Sequence, residues 1–294
     1  MGSSIIISIV KTLAYSDVFD YPLTFEELYK FLIGEKIGRD SFKKVLGSAS
    51  SLISVQNNLY TFKQREKIVQ LRIQREKDSK NKLILAKEIA LLLSNIPTVR
   101  FLGISGALAM ENADKDDDID FFIITQKGTL WLTRLLCLVL LEIKGVRRKR
   151  GVEKASNKVC LNMFMDEDNL SLSYDKRNLY TAHEVVQVKP LLNKNNTYQK
   201  FLFGNIWVTK FLPNSVDTEV QRFKGSKILS EDEKQSFNVF YMFEWVAKTV
   251  QLWYMKNHKT RETVTSTMLA FHPKDYQEII LKEYEKRLKK YEKV

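Results

Sequence analysis

"FLGISGALAMENADKDDDIDFFIIT", residues 101–125, runs from an apolar segment through Gly-Ala-Leu-Ala into clustered aspartates and straight back into Phe-Phe-Ile-Ile. The two apolar runs read as strands, with "GALAMEN" as a short helical turn between them. Carboxylates at Asp116, Asp117, Asp118 and Asp120 repel one another. Crowding them at the mouth of a buried strand calls for a cation or a local role. Side chains alternate between the faces of a strand, so Asp118 and Asp120 share a face while Ile119 points to the other. Two such carboxylates can share a hard divalent ion, and Mg²⁺ favours one or two carboxylates together with substrate phosphate oxygens. Gly106 ends the first strand upstream of the pair. A glycine there lets phosphate approach the backbone, and a helix start offers free N–H groups.

Working outward, residues 98–192 hold a mixed α/β unit. "TVRFLGIS" and "DIDFFIIT" are strands, an apolar helix covers 129–143, the basic loop "KGVRRKRGVEKASNK" follows, and "VCLNMFMD" makes a third strand. Residues 1–63 read as a winged helix-turn-helix module. One helix spans 5–15, and a second lies in "LTFEELYKFL", where Thr24 and Glu27 form a capping box. A third lies in "RDSFKKVLGSASSLI", and two short strands meet at Asn57-Asn58. Residues 1–62 carry six basic and six acidic side chains. Nucleic-acid affinity comes largely from phosphate neutralisation by Lys and Arg, so a neutral module is read as a docking unit.

Residues 64–97 form a connecting helix stopped by Pro97, and 193–294 a helical C-terminal region. There, Ser230 and Glu233 cap a helix over 231–257, and a last helix over 273–291 presents Tyr284, Leu288 and Tyr291 on one face for packing. The aromatic stripe Phe240, Phe243, Trp245 and Trp253 is expected in the core. The fold class is therefore α+β or α/β, with a winged helix, a mixed sheet and C-terminal helices.

The chain has 294 residues, room for about two domains. Its 47 basic against 35 acidic side chains leave a net charge of +12, which suits an anionic partner. Cys137 and Cys160 read as small buried hydrophobes, and the lack of a cysteine framework points to a reducing, cytoplasmic setting. "MGSSIIISIV" lacks the features of a secretory signal. "LWLTRLLCLVLLEI" is interrupted by Arg134 and falls short of the roughly 20 residues of a membrane span, so no membrane association is expected. There is no Walker loop, no Ser-His-Asp constellation and no cysteine-based zinc pattern. Asp114, Asp116 and Asp117 read as a solvated loop, and His183 as a hydrogen-bonded structural residue. His258 and His272 lack metal-ligand spacing. The run Arg147–Arg150 is a solvated loop or, alternatively, a receiver of triphosphate or nucleic acid.

"SGALA" (105–109), "DDDIDFF" (116–122) and "CLNMF" (160–164) together resemble the signature of the DNA polymerase beta-type nucleotidyltransferase superfamily. That signature is a Gly-Ser turn, a short helix, an Asp-x-Asp strand and a third acidic residue on a later strand. "YSDVFDYPLT" and "LYTAHEVVQVKPLL" are similar to segments of bacterial and archaeal proteins that carry a winged helix before such a domain. The resemblance implies Mg²⁺ held by Asp118 and Asp120, and a nucleoside triphosphate, ATP first, with its phosphates at Ser105, Gly106 and Ala107. It implies catalytic positions at Asp118, Asp120 and Asn162, and transfer of a nucleotide to an unknown hydroxyl acceptor. Three positions depart from the pattern. The serine after the glycine is Ala107, a second glycine is Glu111, and the third acid is Asn162, which carries no charge. A degenerate fold that binds a nucleotide or partner without catalysis is the alternative.

Overall fold

Strand β4 (Ile119–Thr125) is almost wholly apolar because it is buried on both sides. Ile119, Phe121 and Ile123 enter one core, while Phe122 and Ile124 enter the other. The computed structural model describes residues 2–49, 52–149, 152, 155–216, 239–256, 263–265, 267–270 and 276–291. Around β4 lies a six-stranded mixed sheet in the order β6-β3-β4-β5-β8-β7. Its other members are β3 (Val99–Ile104), β5 (Val159–Asp166), β6 (Lys189–Asn193), β7 (Thr263–Val264) and β8 (Met268–Ala270). The β4–β5 pair is parallel and the rest are antiparallel.

Helix α4 (Ile68–Leu93) brings Ala86, Ile89, Ala90 and Leu93 to the first core. Helix α6 (Leu130–Ile143) adds Trp131 and Cys137, and α9 (Val239–Lys256) adds Ala247 and Met255. The N-terminal N–H groups of α6 have no partner in their own helix. The Glu244 carboxylate of α9 accepts from the N–H of Trp131 at 2.9 Å and of Leu132 at 2.7 Å. The second core is closed by α7 (Leu179–Gln187) and α8 (Thr197–Gly204).

The N-terminal unit holds three helices, α1 (Gly2–Asp17), α2 (Phe25–Lys30) and α3 (Arg39–Ser48), and the hairpin β1 (Ile53–Gln56)–β2 (Leu59–Phe62). Thr24 and Glu27 form the capping box of α2. Asn57 and Asn58 turn the hairpin with φ of 52° and 61°, a left-handed pair that Asn tolerates. The unit has its own core, yet Tyr15 and Phe31 reach across into the second core of the sheet. Helix α10 (Tyr276–Tyr291) fastens the two. Its Ile280 and Leu281 pack on the sheet side, while Leu288 and Tyr291 pack on the N-terminal core. Tyr291 stacks on Phe62 at 3.6 Å between ring centres. Asp17, buried, pairs with both Arg65 and Arg287.

Several expectations need correction. Phe243, Trp245 and Trp253 are exposed, at 48%, 69% and 73%, because α9 turns its Ala247–Gln251–Met255 face inward to meet α6. The side chain of Phe240 lies outside the described residues, as do Ser230 and Glu233. The C-terminal region is not purely helical: β8 joins the sheet edge at β5 and β7 follows it. Lys189–Asn193, where no strand was anticipated, is the edge strand β6 beside β3 and crosses the anticipated boundary at 192. Pro190 suits an edge. Among the described residues no helix is long and apolar enough to cross a membrane.

Candidate functional site

A cavity of about 500 Å³ opens between the N-terminal unit and the sheet. Its sheet wall comes from residues 106–120, the Gly106 turn and the aspartates that follow it. Gly106, at the start of the short helix α5 (Gly106–Ala109), has φ +64°. A Cβ there would stand 2.9 Å from the Asp120 Oδ2 atom. Glycine is required twice over, for the left-handed backbone and for the close approach. The Ser105 N–H donates to the Asp120 carbonyl at 3.0 Å, pinning the turn to β4. Ala107 also lines the cavity.

Asp118 and Asp120 meet as strand alternation predicts, and Cys160 joins them. One ligand atom from each lies within 4.8 Å of the others. Cys160 stands opposite Asp120 in the parallel β4–β5 register, and its thiol hydrogen-bonds the Asp120 carboxyl. Burial, then the charge of Asp118, pushes the Asp120 carboxyl up to about 7. Burial, then the charges of Asp120 and Asp118, pushes the Cys160 thiol up as well. Cys160 is thus a half-buried member of the site, not the small core hydrophobe expected. A protonated thiol is a poor ligand, whereas two carboxylates with open space before them fit a hard divalent ion.

Arg148 supplies the local positive charge, its Nη1 lying 2.5 Å from the Asp118 Oδ2. The chain is held there because the Arg148 N–H donates to the Val159 carbonyl at 2.9 Å. Arg147 turns away to pair with Glu142. Lys149 is exposed, and Arg150 lies outside the described residues. Of the basic run, Arg148 is the member that lines the cavity among the described residues.

Asn162 reaches the cavity through a bulge. Phe121 pairs with Leu161 but Phe122 pairs with Met163, leaving Asn162 as the extra residue of β5. Bulges re-aim side chains beside functional sites. Here the Asn162 Nδ2 donates to the Ser105 Oγ at 3.4 Å, which ties Asn162 to the Gly106 turn. Glu111, at the expected glycine position, keeps a left-handed φ of 54° and pairs with Lys189 at 2.6 Å.

The neighbouring aspartates serve their loop. The Asp114 N–H donates to Asp117 Oδ2 at 2.8 Å and the Asp116 N–H to Asp114 Oδ1 at 3.2 Å. Lys82 reaches in to the Lys115 and Asp117 carbonyls at 3.0 and 2.6 Å. Asp116 and Asp117 nonetheless line the cavity. Asp166, at the far end of β5, accepts from the Gly128 and Asp168 N–H groups and takes no part.

The other wall is helical, built from α1, α7 and α10. His183 stacks on Tyr15 with ring centres 4.0 Å apart and planes 9° from parallel. Burial pushes its imidazole down to about 3, so it is neutral and structural as expected. Glu184, beside it, went unnoticed in the sequence. Its carboxyl lines the cavity, makes no hydrogen bond or ion pair among the described residues, and is pushed up to about 7 by burial. The trace it leaves in the sequence is a polar His-Glu pair set among Ala182, Val185 and Val186 on an otherwise apolar helix.

Compared with known proteins, the chain matches no family model, no curated protein and no solved structure.

Proposed function

We propose that this protein is a nucleotidyltransferase of the DNA polymerase beta type, preceded by a winged-helix module, that transfers a nucleotide from a Mg²⁺-bound nucleoside triphosphate to a hydroxyl. One observation carries the reading: the left-handed Gly106 turn abuts the Asp120 carboxylate beside Asp118. A backbone able to take phosphate and a carboxylate pair able to take a metal converge in one cavity.

In this reading Asp118 and Asp120 hold Mg²⁺, whose charge would offset that of the phosphates and of the attacking oxygen. Gly106 and Ala107 would present backbone to the phosphates, with the turn held by the Ser105 N–H on the Asp120 carbonyl. Arg148 pairs with Asp118, and its fork of donors would suit a phosphate oxygen lying beside that carboxylate. Positioning and charge neutralisation supply most of the catalysis in such transfers.

A second reading is favoured by Asn162, whose amide carries no charge where the family has a third carboxylate, and by Ala107, which has no hydroxyl for a phosphate. On that reading the cavity binds a nucleotide without turning it over. The deciding experiment incubates the protein with each α-labelled nucleoside triphosphate, Mg²⁺ or Mn²⁺, and a total cell extract. Label moving into any acceptor supports the enzyme. Nucleotide binding with no transfer to any species favours the second reading.

A further inference from the structure

The cavity is acidic although the protein is basic. Asp116, Asp117, Asp118, Asp120 and Glu184 line it, and Arg148 is their one cationic neighbour among the described lining residues. Arg148 is committed to Asp118, and a divalent ion would serve the aspartates of the sheet wall. Glu184 adds a further carboxyl on the helical wall, within electrostatic reach of Asp120 and not paired by Arg148. Glu184 is half-buried at the cavity surface and has no hydrogen-bond or ion-pair partner among the described residues, which leaves its carboxyl oxygens open to an occupant of the cavity.

The surroundings of Glu184 say what that occupant carries. Tyr15, Phe19, Tyr180 and Tyr276 line the same cavity. His183 beside them is neutral and leaves its Nε2 buried without a hydrogen-bond partner among the described residues. A carboxylate among aromatic rings is the arrangement that receives an organic cation, since ring faces attract positive charge and the carboxylate fixes it. The volume of about 500 Å³ is in the usual range for small-molecule sites, about 300–1,000 Å³.

We infer that Glu184 and the aromatic helical wall recognise an ammonium group on the acceptor, so that the substrate is a small amine-bearing alcohol whose hydroxyl is directed toward Asp118 and Asp120. The inference rests on the transfer reading for the fate of the hydroxyl, but not for the binding of the cation. Glu184 is then the residue that determines acceptor specificity.

The test is calorimetric titration of the full chain with choline, ethanolamine and spermidine, in Mg²⁺ and without nucleotide, alongside dimethylbutanol, the uncharged isostere of choline. At least one ammonium compound should bind, and dimethylbutanol should bind roughly ten-fold or more weakly than choline. Glu184→Gln should weaken the bound cation about ten-fold or more, and Glu184→Asp should retain part of the affinity. Binding of none of the three cations, equal binding of choline and its isostere, or an unaltered affinity in Glu184→Gln would overturn the inference. The choline and isostere comparison uses the parent protein, so it stands even if a variant misfolds. Ammonium binding without nucleotidyl transfer would refute the transfer and keep the cation site; transfer without ammonium binding would do the reverse.

Discussion

At the scale of single residues, the site depends on two carboxylates held side by side at a cost. Asp120 is pushed up to about 7 chiefly by burial and then by Asp118, so the pair is poised to gain from a divalent ion. Replacing both, Asp118→Asn with Asp120→Asn, should abolish the Mg²⁺-dependent part of nucleoside triphosphate affinity, a loss of roughly ten-fold or more for charge-assisted contacts. Far-UV circular dichroism should be unchanged, since neither carboxylate holds the cores together. Calorimetry with and without Mg²⁺ measures this, and an affinity that still rises with Mg²⁺ would rule out the pair as the metal site. The pair itself was legible in the sequence because strand alternation is a local rule. Cys160 was not, because its place beside Asp120 depends on the register of β4 with β5, which no spacing reveals. Glu184 was hidden for the same reason, being brought to the cavity by the packing of α7.

At the scale of elements, strongly periodic or capped segments were readable: the α2 capping box, the Asn-Asn hairpin, the strands around Gly106 and the packing face of α10 all form where expected. The misreadings concern short strands and long-range partners. β6 and β8 have five and three residues, too few for periodicity to speak, and their pairing is decided by the exposed edges of β3 and β5. The exposed aromatics of α9 were misplaced because an apolar stripe alone does not say which face meets a neighbour. That face is marked instead by Glu244, which caps α6 from outside. Glu244→Ala should therefore destabilise the protein by about 1–2 kcal/mol, as loss of an N-terminal cap does, and Glu244→Gln by less because an amide oxygen still accepts. Denaturant melts of the two variants measure it; equal losses would mean that charge, not acceptance, is what α6 needs.

At the scale of the whole molecule, the cavity sets a pH dependence. Glu184 and Asp120 both sit at about 7 in the folded protein, above the roughly 4 of an unfolded carboxyl. The folded state thus binds these protons more tightly than the unfolded one, and the stability they contribute is whole below about pH 4 and is lost as pH rises through about 7. In EDTA the melting temperature should fall between about pH 4 and 7 and level off above, with a shallower fall in Glu184→Gln, and Mg²⁺ at pH 8 should recover the share due to Asp120. Parallel slopes for parent and Glu184→Gln would exclude Glu184 from the effect. Helix α10 has a different kind of consequence, one of timing. It is synthesised after every described strand of the sheet, yet it joins α1 to the sheet that α1 faces. Contacts between segments so distant along the chain are the slowest to form. The N-terminal unit can gather most of its own core early on the ribosome, while the helical wall of the cavity, shared by α1, α7 and α10, is finished only when α10 docks. A nascent or truncated chain lacking α10 would display the aspartates before an incomplete helical wall, and closure of the cavity would arrive late in biogenesis.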